Sequence, residues 1–339
     1  MPSIKPPEYK ADDRSVFLPY YRRYCVDPFL PLIPARLHPN TITHLGHLFM
    51  AAGAALVLIL RPTSGWIFAL CLFLLWAYVF CDNADGAHAR RTKQTSPLGE
   101  FLDHGLDLFN CVYIGAASAF SVGADGKTWI LMGFVVPAAC AAVYWEQAIT
   151  GVFRVGLVSQ IESSVLFSMA LVIDVFADTS FFVKPILLGI CIRDVIMIWT
   201  FTGVAWGILF GIWRVARRPS GAGGLVTFLP ILSLLALNAT LMLSWVVGAL
   251  DILPLMLIGN FSNVAFGLRM LSFRLRHEKP RVDLLFCAMT LALVFAMVFH
   301  LDARWVLGLT VTACILFTLE GALATRATLR RLGQASSAG

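Results

Sequence analysis

Charge is scarce in this chain. Only 14% of its 339 residues are Asp, Glu, Lys or Arg, where soluble globular domains carry about a quarter. That shortage excludes a water-solvated enzyme with a buried core. Also missing are any CxxC pair among the eight cysteines, any repeat with a period of 20–50 residues, and any low-complexity tract ahead of the tail at 333–339. Zinc and a disulfide framework are therefore not expected, and the cysteines read as reduced packing residues. The first forty residues lack an apolar run followed by a small-residue cleavage site, so no signal peptide is expected.

Apolar residues fill the gap. They make up 58% of the sequence, and mean hydropathy is +0.78. A helix rises about 1.5 Å per residue, so about 20 apolar residues cross a bilayer. Runs of that size predict ten spans, near 41–60, 64–81, 105–122, 128–147, 162–178, 186–212, 225–247, 252–270, 283–301 and 304–322. The expected fold is an all-α polytopic membrane protein. Trp66, Trp129, Trp145, Trp213, Trp245 and Trp305 fall near span ends, as interfacial aromatic belts do. Residues 15–37 mix aromatics with arginines and prolines and read as an interfacial segment. The division expected is a cytoplasmic or interfacial segment at 1–40, a catalytic six-helix core at 41–213, four further helices at 214–325, and a cytoplasmic tail at 326–339.

Basic residues set the orientation. With both termini in the cytoplasm, the outside loops hold only Arg61, Lys127, Lys184 and Arg304, and Arg193 falls within a span; the other 21 of the 26 Lys and Arg lie inside. The net charge of +6 expresses this bias, and favours anionic headgroups. It implies no nucleic-acid partner.

One stretch stands out. Asp82 and Asp85, three apart, close the second span on its cytoplasmic side; Asp103 and Asp107, four apart, open the third. Each pair shares a helix face. If the hairpin folds back, four carboxylates converge, and they cannot all stay ionised without cations. Oxygen ligands with no His or Cys pattern favour Mg²⁺ or Mn²⁺, two ions being expected, over zinc. Gly86 and Ala89 leave room for a ligand near the backbone, and Arg90 and Arg91 suit phosphate oxygens. Metal, arginine and small residues together point to phosphoryl transfer. The bland alternative, acidic pairs at a helix cap, needs eight fixed positions to coincide by chance.

The pattern D-x2-DG-x2-AR-x8-G-x3-D-x3-D resembles the signature of the CDP-alcohol phosphotransferases at every fixed position. The resemblance implies that Asp82, Asp85, Asp103 and Asp107 bind metal, while Gly86, Ala89, Arg90 and Gly99 shape a CDP pocket that also includes Asp82. Further text is similar to the choline/ethanolamine phosphotransferase branch: Pro39-Asn40-Thr41-Ile42-Thr43, Ala89-Arg90-Arg91-Thr92, Ser96-Pro97-Leu98-Gly99-Glu100, Asp103-His104-Gly105, and the stretch from Trp145-Glu146 through Thr150-Gly151 to Glu162. Asn40 and Thr43 resemble residues near the nucleotide in that branch. Two positions depart from it. Ala87-His88 stands where Lys-Gln is usual, removing a cation near the phosphates, and Leu108 stands where serine is common.

The expected reaction takes a CDP-aminoalcohol (CDP-ethanolamine or CDP-choline) and a diacylglycerol-like lipid, and releases CMP. Glu100 and His104, four apart, can act together with His104 as the base; Asp107 is the other candidate. An alternative within the family pairs CDP-diacylglycerol with a small soluble alcohol. An alternative outside it is a cation-binding transporter. A homodimer is implied by the resemblance. The membrane expected is endoplasmic reticulum or Golgi in a eukaryote, or the inner membrane of a bacterium, with the active site facing the cytoplasm.

Other polar residues in the spans carry lesser expectations. Glu146 and Glu162 flank an amphipathic stretch at 148–161 and either close the site, contact the amine headgroup or pair with Arg154. Arg193-Asp194, Asp174, Asn260 and Asn263 read as helix–helix hydrogen-bonding groups. His44 and His47 read as packing residues, and His277 and His300 as peripheral.

Overall fold

The computed structural model describes residues 10–60, 65–123, 126, 130–156, 159–177, 180–218 and 224–336. Lys5, Arg61, Lys127, Trp129, the side chain of Asp174, the middle of the 214–224 loop and the last three residues lie outside that set.

Among the described residues, ten helices of 15 residues or more correspond one to one with the ten apolar runs. They are α1 (Pro39–Leu60), α2 (Gly65–Thr92), α3 (Pro97–Ser121), α4 (Val136–Thr150), α5 (Gln160–Ala177), α6 (Ile192–Ala216), α7 (Leu229–Val246), α8 (Ile252–Leu275), α9 (Leu284–Val298) and α10 (Ala303–Ser336). Among the described residues seven spans are long and apolar enough to cross a membrane (α1, α2, α6, α7, α8, α10, and α4 together with the π-helical turn before it, Met132–Thr150), while α5 and α9 are shorter apolar helices. The remaining one, α3, carries Glu100, Asp103, His104 and Asp107 among its apolar residues. The chain is an all-α polytopic membrane protein.

Contacts divide it into two compact units. One comprises residues 11–133 and 154–203; the other comprises residues 1–10, 134–153 and 204–339. In the second, α8 packs against α4 and α10, and α7 packs against α9. Polar groups link these helices. Asn238 Nδ2 donates to Asn263 Oδ1 at 3.0 Å, and Arg214 forms a two-pronged pair with Glu146 at 2.6 Å on each side. Glu146 therefore has Arg214 as its ion-pair partner, where Arg154 was the alternative expected.

In the first unit α1 is the pillar, packing on both α2 and α3, and α5 also touches both. The seam between α1 and α2 needs small residues. A Cβ on Gly46 would lie 2.9 Å from Cys81 Cβ, and one on Gly53 would lie 3.4 Å from Leu74 Cβ. Such close approach is how membrane helices associate where burial from water gives no drive.

The aspartates do not stand at helix ends, as the apolar runs suggested. α2 continues for eleven residues past Cys81, because the Ala and Arg residues there favour a helix, and Asp, Asn, His and Gly86 lower its propensity without breaking it. It stops at a Schellman turn: Gln94 N–H donates to Ala89 O and Lys93 N–H to Arg90 O, with Lys93 in the left-handed region at φ 58°, a position that favours glycine. Ser96 then caps α3, accepting from Gly99 N–H at 3.0 Å, with Pro97 fixed at the first turn. Only residues 93–96 connect the two helices.

Gly46 offers a test of the seam. Gly46→Ala overpacks it and is expected to destabilise by about 1–3 kcal/mol, lowering the unfolding midpoint in detergent. Gly53→Ala, with ordinary contact distance and a gain of about 1 kcal/mol in helix propensity, is expected to leave the midpoint unchanged or higher.

Candidate active site and metal centre

Helix rise sets the level of each carboxylate. Asp82 lies ten residues before the end of α2 and Asp107 ten residues into α3, so both sit about 15 Å below the hairpin. Asp85 and Asp103 sit nearer, about 10 Å from it. Oxygens of Asp82, Asp103 and Asp107 accordingly come within 4.8 Å of one another, and all three side chains are half-buried. Three oxygen donors at this separation fit a hard divalent cation, whose charge offsets their mutual repulsion. Asp85, only 4% exposed, lies outside that group of three. Its Oδ2 accepts a short hydrogen bond from Thr43 Oγ1 of α1, and its Oδ1 accepts from Gly86 N–H.

A shell of donors surrounds the cluster, with little sign of it in the spacing of the residues. Tyr78 OH and Asn110 Nδ2 both approach Asp107 Oδ1 at 3.4 Å. Gln160 Nε2 donates to Tyr78 OH at 2.9 Å, and Asn83 Nδ2 reaches Gln160 Oε1 at 3.3 Å. At 3.4 Å the contacts to Asp107 orient more than they stabilise. Tyr78 and Asn110 had one usable signal: each stands one helical turn from an aspartate, at i−4 of Asp82 and i+3 of Asp107. Gln160 begins α5, far away in the chain, and had none.

Of the expected nucleotide residues, Asn40 and Gly99 meet where α1 and α3 begin, while Asp82, Gly86, Ala89 and Arg90 lie along α2. A Cβ on Gly99 would lie 3.3 Å from both Asn40 Oδ1 and Ser96 Oγ, whereas one on Gly86 would meet only the Arg90 guanidinium, at 3.4 Å. Gly99 thus permits a close helix contact, and Gly86 leaves open space. Ala89 is buried. Arg90 is exposed and Glu100 half-buried, while His104 is 6% exposed.

His88 turns out to serve the scaffold. Completely buried, it approaches Leu37 O with Nε2 at 2.8 Å and receives Arg91 at Nδ1 at 3.1 Å. Since arginine only donates, Nδ1 is the acceptor and Nε2 carries the proton to Leu37 O. Arg91 also donates to Ile33 O at 2.6 Å, and Gln94 to Ala35 O at 3.2 Å. Three carbonyls of the 33–37 segment are thereby fastened to the end of α2. Upstream, the ring of Tyr21 packs at a tilt of 41° against Trp76, with centroids 5.6 Å apart. Its phenol is pushed well above the ordinary range, first by burial and then by the charges of Cys25 and Asp82.

Glu162 holds the start of the same segment. Its Oε1 accepts from Ser15 Oγ at 2.7 Å and from the Val16 and Phe17 N–H groups at 2.9 and 3.0 Å. Within the stretch at 148–161, α4 ends at Thr150 and residues Val152–Val155 are extended. Gly151, at φ 74°, terminates α4 there. Among the lesser expectations, Arg193 NH1 donates to Gly123 O at 2.9 Å, and Asp194 accepts from Cys191 N–H at 3.0 Å, within its own segment.

Residues 36–173, which hold the acidic cluster, match the model of CDP-alcohol phosphatidyltransferases. This segment is similar to CDP-alcohol phosphatidyltransferases. The chain is 28% identical over 215 residues to cholinephosphotransferase 1 of Danio rerio, covering 61% of this chain and 55% of that protein. It is 31% identical over 179 residues to cholinephosphotransferase 1 of Mus musculus, covering 51% and 45%. It is also 32% identical over 174 residues to the CDP-diacylglycerol–serine O-phosphatidyltransferase of Encephalitozoon cuniculi, covering 49% and 45%. The matches thus span about half the length of these relatives. The first two support the choline/ethanolamine branch of the family.

Clustered like charges predict a stability signature. In EDTA, Asp103→Asn or Asp107→Asn is expected to unfold at the same temperature as the unmodified domain or higher, since each removes repulsion. Saturating Mg²⁺ or Mn²⁺ is expected to stabilise the unmodified protein by about 3 kcal/mol at a hundredfold excess over Kd and to stabilise neither variant appreciably. Calorimetry in detergent, with and without metal, reads both effects.

Proposed function

We propose that this protein transfers a phospho-aminoalcohol, phosphoethanolamine or phosphocholine, from its CDP ester to the hydroxyl of a diacylglycerol-like lipid. The observation that carries the reading is the meeting of Asp82, Asp103 and Asp107 within 4.8 Å, inside a segment similar to CDP-alcohol phosphatidyltransferases. With Asp85 they would hold Mg²⁺ or Mn²⁺, two ions on the family resemblance. The metal supplies charge neutralisation at the phosphates when bound.

The remaining roles fall to this chain's own groups. Asn40, Thr43, Gly86, Ala89 and Gly99 line the nucleotide pocket, and Arg90 offers its exposed guanidinium to phosphate oxygens. His104 takes the proton from the lipid hydroxyl, with Glu100 orienting it. The hydroxyl oxygen attacks the phosphorus bearing the aminoalcohol, the bond from that phosphorus to the bridging oxygen breaks, and CMP leaves with the electron pair. Asp107 is the weaker candidate for the base, because its Oδ1 already faces two donors, Tyr78 and Asn110. Both termini and the site face the cytoplasm in this reading, from the endoplasmic reticulum, the Golgi or a bacterial inner membrane. A homodimer rests on the resemblance alone.

A second reading has a specific observation behind it. The similarity to a CDP-diacylglycerol–serine O-phosphatidyltransferase favours CDP-diacylglycerol with a small soluble alcohol. Ala87, where the branch usually has lysine, leaves the headgroup open between the two.

CMP release by the purified protein in lipid, with Mg²⁺ or Mn²⁺, separates these readings. Release is expected with CDP-ethanolamine or CDP-choline plus diacylglycerol, and is expected to fall to background in Asp82→Asn. His104→Ala is expected to lose about 10²–10⁴ in kcat while still binding Mn²⁺. Release only from CDP-diacylglycerol with an alcohol would move the protein to the second reading, and no release from any donor would favour a cation transporter.

A further inference from the structure

A hydrogen-bonded path runs from α1 to the acidic cluster. His47 Nδ1 lies 2.9 Å from Asn110 Oδ1, and Asn110 Nδ2 approaches Asp107 Oδ1 at 3.4 Å. The donors and acceptors assign themselves. An amide nitrogen only donates, so Asn110 gives its N–H to the carboxylate; an amide oxygen only accepts, so Nδ1 of His47 carries a proton. Asn110 is 4% exposed, and leaving either end of a buried amide unmet is costly. The imidazole is further fixed by the rings of Phe109 and Tyr113, with centroids 6.2 and 5.6 Å away.

We propose that His47 is a positioning residue for Asp107, acting through Asn110. The path holds the Asp107 carboxylate in the rotamer that brings it to Asp82 and Asp103. Neither His47 nor Asn110 belongs to the acidic signature, and His47 was expected only to pack. Thr43 stands one turn before His47 on the same helix and donates to Asp85. α1 therefore orients both acidic pairs, Asp85 directly and Asp107 through one amide. This proposal rests on the reading of Asp107 as a metal ligand.

The test is Mn²⁺ binding by the purified full-length chain in detergent, followed by the electron paramagnetic resonance signal of free Mn²⁺. His47→Phe keeps an aromatic ring and removes the donor. His47→Asn places an amide N–H near the position of Nδ1 and gives up the ring. Outer-shell partners of metal ligands typically change affinity 10–100-fold. One step further out, His47→Phe is expected to weaken Mn²⁺ binding about three- to tenfold, with His47→Asn within about twofold of the unmodified protein. A residue that only packs gives the reverse order, Phe tolerated and Asn harmful, and that order overturns the proposal. Equal affinity in all three proteins overturns it as well. Failure of the unmodified protein to bind Mn²⁺ saturably overturns the metal reading itself, and this proposal with it.

Discussion

Mutual repulsion among carboxylates is the constraint around which the first unit is organised. Oxygens from α2 and α3 are held within 4.8 Å in a layer of otherwise apolar helices. Like charges at that range do not stay together by themselves. The scaffold must press the helices inward, and a cation must offset what remains. α1 does the pressing, through a glycine seam against α2 and the close contact of Asn40 with Gly99 on α3. Donors on α1, α2, α3 and α5 then orient the acids.

The hairpin geometry converts this constraint into a register. A four-residue link with a left-handed Lys93 and a Ser96 cap fixes where α3 starts relative to the end of α2. Ten residues on either side then bring Asp82 and Asp107 to the same height. One residue more in the link would rotate and raise the α3 acids relative to those of α2. The spacing in the sequence signature is thus a statement about helix rise across a hairpin, and needs no contact between the intervening residues.

The architecture was largely legible in the sequence, because a span needs a long apolar run and ten such runs each fold as a helix. Helix limits were less so. The apolar run in α2 stops at Cys81, while its backbone bonds continue to Thr92 because nothing there opposes them. The meeting of Asp82, Asp103 and Asp107 could be read from spacing, since i, i+3 and i, i+4 pairs share a face, but the fourth acid expected there, Asp85, lies outside their group and bonds to Thr43. The outer shell could not. Gln160 meets Tyr78 only through tertiary folding, and His47 is one of two histidines on α1: His44 is exposed, and His47 finds Asn110. His88 had no role assigned from the sequence, and its burial against Leu37 O is a property of the fold alone.

His88, Arg91 and Gln94 grip the segment at 33–37 by three carbonyl oxygens on alternate residues. Every residue carries a carbonyl, so the grip reads the main chain and ignores side-chain identity. Ile33, Ala35 and Leu37 are therefore free to drift in sequence without loosening it, and the exposed side chains of Ala35 and Leu37 can be tuned to a bilayer of different thickness or composition. The fastening and the surface it presents evolve separately.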